Sequence, residues 1–319
     1  MIILMKKLSY LVLMLLFISV ISFLAIHIAP NSFFSGGELN PNMTEEALLK
    51  LKAVYGLDKP LLLQYLDWMK NILTLNFGVS FVSGQDVSDE ILKRIPITLV
   101  INIISLVLVF VLSIYLGIKA ALYNGKKIDY LIRQFSLFSF SMPTFYLALL
   151  LIILFSVNLK ILPFSGLHSI EPKIGIYYYL DMAWHLILPI GVMVFVGLGS
   201  MIIYIRSLTL EVLKSDYYFF AKARGLSDEI VLKRYILPNL LPPVVTLLGL
   251  SLPGLIGGSV ILESIFGIDG MGNFFYMSAL SRDYPVIMGI LMITAFLTLL
   301  GNMIADFILF RLNPYAKRV

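Results

Sequence analysis

DYYFFAKARGLSDEIVLKRYILP, Asp216–Pro238, is a polar, partly basic island between long apolar runs. It holds Lys222, Arg224, Asp228, Glu229, Lys233 and Arg234 in a chain whose charged fraction is only 13%. Gly225 sits mid-island, where a residue without a Cβ ends one short helix and lets the chain turn. Ser227 reads as the N-cap of a second helix. Asp228 and Glu229 then fall in its first turn, where a helix N-terminus favours negative charge. Glu229 and Lys233 are spaced i,i+4, and Lys233 and Arg234 lie toward the C-terminal end. Pro238 marks where the element bends or stops. The pattern is helix–glycine–helix, exposed to water between two membrane spans. Tyr217, Tyr218, Phe219 and Phe220 give it an aromatic load that suits an interface with a soluble partner. Ala221 and Ala223 leave room for close approach.

The flanks set the class. The chain has 319 residues, 59% of them hydrophobic, and a mean hydropathy of +0.93. Soluble domains are about half apolar, and several runs here reach the roughly 20 residues that a bilayer needs. The expected fold is all-α: a polytopic membrane protein with six transmembrane helices. A helical extracytoplasmic region follows the first span. The net charge of +5 calls for no nucleic acid, because the basic residues cluster beside spans and orient them. The same clusters attract anionic membrane lipid. With no cysteine in the chain, disulfides, thiolate metal sites and cysteine nucleophiles are excluded.

Lys6 and Lys7 precede an uncharged run from Leu8 to Ile26, so residues 1–29 read as an uncleaved first span with its N-terminus inside. Residues 30–96 are mixed and read as an extracytoplasmic helical region on the membrane surface. Within it, Glu45–Tyr55 is amphipathic with Thr44 as N-cap, Gly56–Pro60 is a turn, and Leu61–Leu75 is a second amphipathic piece carrying Tyr65 and Trp68. Residues 97–319 form a five-span core. Its spans read as Thr98–Ile118, Phe135–Val157 with Pro143 as a kink, His185–Ile205, Leu240–Leu262 and Pro285–Ile308. The loop 206–239 contains the island. Pro242, Pro243, Pro253 and several glycines keep the fifth span from being a plain helix. Lys and Arg beside the short loops place both termini in the cytoplasm.

The island resembles the cytoplasmic loop of permease subunits of bacterial ABC importers. That signature runs Glu-Ala-Ala, three residues, Gly, nine residues, Ile, one residue, Leu-Pro. Ala221, Gly225, Leu237 and Pro238 match in register; Phe219 and Phe220 stand for the Glu and first Ala, and Tyr235 for the Ile. Asp216, Tyr217, Ala221, Ala223, Arg224, Gly225 and Leu226 resemble the version used by the peptide and nickel branch. The likeness extends to Gly56-Leu57-Asp58, Asn76-Phe77-Gly78-Val79-Ser80, Glu263, Phe266, Arg282-Asp283-Tyr284-Pro285 and Asn313-Pro314. Pro30-Asn31-Ser32 departs from the Pro-Gly-Asp-Pro of many relatives. The resemblance implies an inner-membrane subunit moving di- or oligopeptides, with nickel or a nickel chelate as the alternative cargo. It also implies a second homologous permease, two cytoplasmic ATPases that bind the ATP, and an extracytoplasmic substrate-binding protein. Asp216, Tyr217, Phe219, Phe220, Ala221, Ala223, Arg224, Gly225, Leu226, Leu237 and Pro238 are the ATPase-docking residues it implies.

No catalytic constellation is visible, so the chain reads as no enzyme, with no cofactor and no metal of its own. His27, His168 and His185 have no ligand spacing, and His27 and His185 fall at span ends, where an interfacial role explains them. Gly125-Lys126-Lys127 lacks the rest of a P-loop. Asp306 stands four residues after Asn302 in the last span and reads as a structural partner near Arg311 rather than a transport group. Glu263 reads either as the border of a substrate entrance or as a solvated span end. A stand-alone channel or carrier is the remote alternative; it fits poorly with spans so nearly free of charge.

Overall fold

The computed structural model describes residues 2–28, 59–171, 173–251, 254–257 and 260–312. Among these every regular element is helical, apart from one antiparallel bridge between Val79 and Asp86. In chain order they are α1 (Ile2–Ile28), α2 (Leu61–Leu73), α3 (Val87–Leu122), α4 (Lys127–Ser141), α5 (Thr144–Leu151), α6 (Ile176–Leu213), α7 (Asp216–Ala223), α8 (Asp228–Val231), α9 (Leu237–Ser251), α10 (Gly254–Gly257), α11 (Val260–Ile265), α12 (Met271–Ser281) and α13 (Tyr284–Leu312). Stretches of π-helix, Ile152–Asn158 and Leu232–Ile236, continue α5 and α8. The expected Glu45–Tyr55 helix, its Thr44 cap and most of the Gly56–Pro60 turn lie outside the described residues.

Five stretches are long and apolar enough to cross a membrane: Leu8–Ala25, Val87–Leu122, Ile176–Leu213, Asp228–Ser251 and Tyr284–Ile304. A sixth exists if Lys127–Ser141 and Thr144–Asn158 count as one span. Those two meet at 100°, so the kink expected at Pro143 within Phe135–Val157 is a sharp elbow. The cause is local. The proline ring of Pro143 disfavours helical backbone in the residue before it, and Met142 is extended at φ −79, ψ 121. Pro96 behaves differently. It lies inside α3. The helix begins nine residues earlier, where Asp86 Oδ1 accepts the Ser88 amide at 2.8 Å. The fifth expected span also moves toward the N-terminus, to Asp228–Ser251.

The chain gathers into two units. One comprises residues 1–96 and 274–300 and the other residues 97–273 and 301–319. In the first, α2 packs back along α1. His27 Nε2 meets Gln64 Oε1 at 3.1 Å, Ser19 meets Tyr65 at 2.8 Å, and Phe23 contacts the rings of Tyr65 and Trp68. The aromatic face of α2 thus packs on α1. In the second unit, α4 and α6 approach at backbone distance. A Cβ at Gly199 would lie 2.5 Å from the Phe140 amide nitrogen, so only glycine permits this crossing. Ile118, Ile205, Val212 and Leu240 form the core of the same unit.

Candidate functional site

The island folds from its own sequence signals. After α6 ends at Leu213, Ser215 turns the chain at φ −78, ψ 151, and its hydroxyl donates back to the Val212 carbonyl at 2.5 Å. Helix α7 follows for two turns. It closes with a Gly225 N–H to Lys222 carbonyl bond of 2.9 Å and a Leu226 N–H to Ala221 carbonyl bond of 3.3 Å. This is the paired pattern of a Schellman C-cap, which needs a left-handed residue at its corner. Gly225 supplies it with φ +73. Ser227 stands at the N-cap position of α8, but its side chain makes no capping bond. The Lys222 ammonium reaches across the turn to Asp228 instead. That contact raises the Lys222 pKa above its ordinary value. Glu229 and Lys233 pair at 2.6 Å, as their spacing predicts.

Pro238 does not stop the second element. The Leu237 amide bonds the Leu232 carbonyl, an i→i−5 reach, and α9 begins there. A widened π turn ahead of a proline accommodates its ring and missing donor without breaking the helix. The second half of the island therefore runs directly into a candidate span.

The island has two faces. Ala221, Val231, Ile236 and, in part, Tyr218, Leu226 and Leu237 join the core with Ile118 and Val212. Ala221 thus faces inward, contrary to the expectation that it leaves room for a partner. Asp216, Ala223, Arg224, Gly225 and Pro238 are exposed. So are Tyr217, Phe219 and Phe220, at 41%, 67% and 63%; the last two rings meet edge-on with centroids 5.8 Å apart. Among the described residues, none beyond its chain neighbours lies within 4 Å of a Cβ built on Gly225. The surface is apolar at its tip, clipped by ion pairs, and held from below by packing.

Further along α6 toward its start, Arg206 makes a two-pronged ion pair with α4. Its Nε donates to Asp129 Oδ1 at 2.6 Å and Nη2 to Oδ2 at 2.8 Å, with a further bond to Asn124. Asp129 is 1% exposed and also accepts the Gly125 amide. Asp129 was visible in sequence only as an acid among basic residues, because its partner is 77 positions away.

The other candidates separate. Glu263 is 3% exposed, which removes the reading of a solvated span end. Thr98 Oγ1 donates to its Oε1, the Asn273 amide donates to Oε2, and the Met271 amide donates to Thr98 Oγ1. A carboxylate there takes up the orphan amides at the start of α12. His185 is buried, with Nδ1 2.8 Å from the Asp181 carbonyl. His168 stacks on Tyr178. Asn302 is half-buried and Asp306 exposed on α13. In the first unit Asp283 accepts Ser80 Oγ at 2.5 Å and the Phe81 amide at 3.1 Å. Two stretches singled out separately in sequence, Asn76–Ser80 and Arg282–Pro285, are thereby one clamp.

Comparison with known proteins agrees with this layout. Residues 113–318 match the family described as binding-protein-dependent transport system inner membrane component. Residues 1–102 match the N-terminal family of the same membrane components. The chain is 37% identical over 301 residues to the oligopeptide transport system permease protein AppB of Bacillus subtilis, covering 94% of each. It is 36% identical over 291 residues to the di/tripeptide transport system permease protein DppB of Pseudomonas aeruginosa, covering 86% of this chain and 85% of that one. It is 33% identical over 312 residues to the metal-staphylopine import system permease protein CntB of Staphylococcus aureus, covering 97% and 96%.

Proposed function

This chain belongs to the family of binding-protein-dependent transport system inner membrane components, and from that premise we propose that it carries di- or oligopeptides inward across the membrane. As a permease of the peptide and staphylopine branch of ABC importers it is a multi-pass inner-membrane subunit and not itself a catalyst. ATP is bound by separate ATPase subunits, and a binding protein completes the complex. A stand-alone channel or carrier is thereby set aside.

The finer assignment is our own. A second, homologous permease pairs with this one, and two ATPases dock from the cytoplasm, where both termini lie. One of them seats on Asp216–Leu226, with Tyr217, Phe219, Phe220 and Arg224 in the contact. What supports this is the two-faced island: exposed aromatic rings above a core-packed underside. Its first helix leads out of α6 and its second runs into α9. Closure of the ATPases on ATP would then push on two spans together, and the path would open alternately to each side. Peptide cargo is favoured by the peptide permeases at 37% and 36% identity. Nickel or a nickel chelate stays as the second reading because a metal-staphylopine permease matches over 97% of this chain.

The absence of native cysteine makes the test clean. Arg224→Cys in the assembled transporter is expected to cross-link to an ATPase subunit through a short bifunctional reagent, and Gln85→Cys is not. In intact cells an impermeant thiol reagent is expected to label Gln85→Cys and spare Arg224→Cys. The reversed labelling, or cross-links absent at Arg224→Cys, would overturn the docking assignment. Uptake of nickel with no uptake of peptide would overturn the cargo assignment.

A further inference from the structure

Between α3, α6, α9 and α10 lies a cavity of about 370 Å³, a size typical of small-ligand sites. No charged residue lines it; its polar lining is Asn102, Ser105, Ser200 and Ser251. What these groups still offer follows from the bonds they already make. The Asn102 amide nitrogen donates to the Thr98 carbonyl at 2.9 Å and to the Leu255 carbonyl at 3.0 Å. Carbonyl oxygens carry no hydrogen, so both N–H groups are used and only the acceptor Oδ1 remains. Ser105 Oγ lies 3.6 Å from Met193 Sδ, and a thioether can only accept, so the serine hydrogen is spent there. Ser251 Oγ donates to the Leu247 carbonyl at 2.8 Å. Three of the four polar groups therefore keep lone pairs and no hydrogen. Ser200, exposed, keeps both.

We propose that this cavity is a substrate subsite that accepts hydrogen-bond donors, namely the α-ammonium or backbone N–H groups of a peptide in transit. The inference rests on the peptide reading above and deepens it. A peptide brings N–H groups that satisfy these lone pairs. A carboxylate-wrapped metal chelate presents oxygens, which would set acceptor against acceptor and leave both unpaired. With no fixed charge in the wall, the hold is loose enough for release, as a passage requires.

The test uses the complete transporter, with its binding protein and ATPases, in cells lacking the native copy of this chain. Uptake of radiolabelled trialanine and of nickel citrate is normalised to the amount of chain in the membrane. Ser105→Ala and Ser251→Ala, each removing one acceptor, are expected to lower kcat/KM for trialanine by roughly tenfold, about the worth of one hydrogen bond. Ser251→Thr, which keeps the hydroxyl, is expected to restore it. Ser200→Lys, placing a cation in the cavity, is expected to lower trialanine uptake at least as much. Trialanine uptake unchanged in Ser105→Ala, Ser251→Ala and Ser200→Lys overturns the subsite and leaves the peptide reading standing. Wild-type import of nickel citrate without trialanine overturns the peptide reading and the donor preference with it.

Discussion

The island Asp216–Pro238 keeps its charges outside, whereas the segments around Asp129, Glu263 and Asp283 bury theirs. In the island, Lys222 pairs with Asp228 and Lys233 with Glu229 at the surface, and the shape comes from a glycine turn and a core-packed underside. At the buried sites the carboxylates hold the shape. Asp129 grips Arg206, Glu263 takes the amides that open α12, and Asp283 clamps Ser80 and Phe81. Exposed pairs gain little, because water already solvates both partners. A buried carboxylate has no such alternative, and removing its partner leaves a charge stranded. Interior acids therefore tie distant segments together, while the surface pairs of the island only clip a local turn.

The sharpest way to break that comparison is Arg206→Met. It leaves Asp129 buried with most of its bonding gone, and the expected cost is about 3–5 kcal/mol. Thermal unfolding in detergent should drop markedly, and Asp129→Asn in the same chain should recover part of the loss. A melting temperature equal to wild type would remove the distinction between the two regions.

Gly225→Val should cost less in stability, roughly 1–2 kcal/mol, because the strain is confined to one left-handed residue and its Cβ meets no neighbour. The chain should still insert, but with the docking turn misaligned the ATPases should dissociate on purification and transport should stop. Gly225→Asn, which tolerates the same backbone, should keep most of both. Normal uptake by the valine variant would separate the turn from coupling.

Phe219→Ala and Phe220→Ala should barely move the melting temperature, within about 0.5 kcal/mol, since both rings are exposed. They should nevertheless weaken copurification of the ATPases, because aromatic anchors dominate interfaces. A large destabilisation with intact ATPase binding would mean that these rings pack at home and dock nothing. The smallest effect belongs to Lys222→Ala, for which no resolvable change in melting temperature is expected at neutral pH. Asp228 raises the Lys222 pKa, so the pair's contribution is full below the ordinary lysine range. It is lost only as pH rises through the raised value, and a wild-type melting curve flat from pH 6 to pH 9 in this respect is the check.

Local signals were legible in the chain itself. The apolar runs announced a polytopic helical protein because a bilayer demands unbroken apolar length. Gly225 announced its turn because the left-handed corner of a C-cap favours a residue without a Cβ. Glu229 and Lys233 announced their pair because a helix brings i and i+4 together. Local rules marked Pro143 as a kink and Pro238 as a bend or stop; Pro143 makes a 100° elbow and Pro238 follows a π turn that absorbs it. Each outcome depends on what packs around the freed carbonyl and the ring, which no window of sequence contains. Side-chain partners of Asp129, Glu263 and Asp283, namely Arg206, Thr98 and Ser80, lie 77, 165 and 203 positions away. A carboxylate's need for a partner is written in its chemistry; which hydroxyl, amide or guanidinium meets it is decided only when the helices pack.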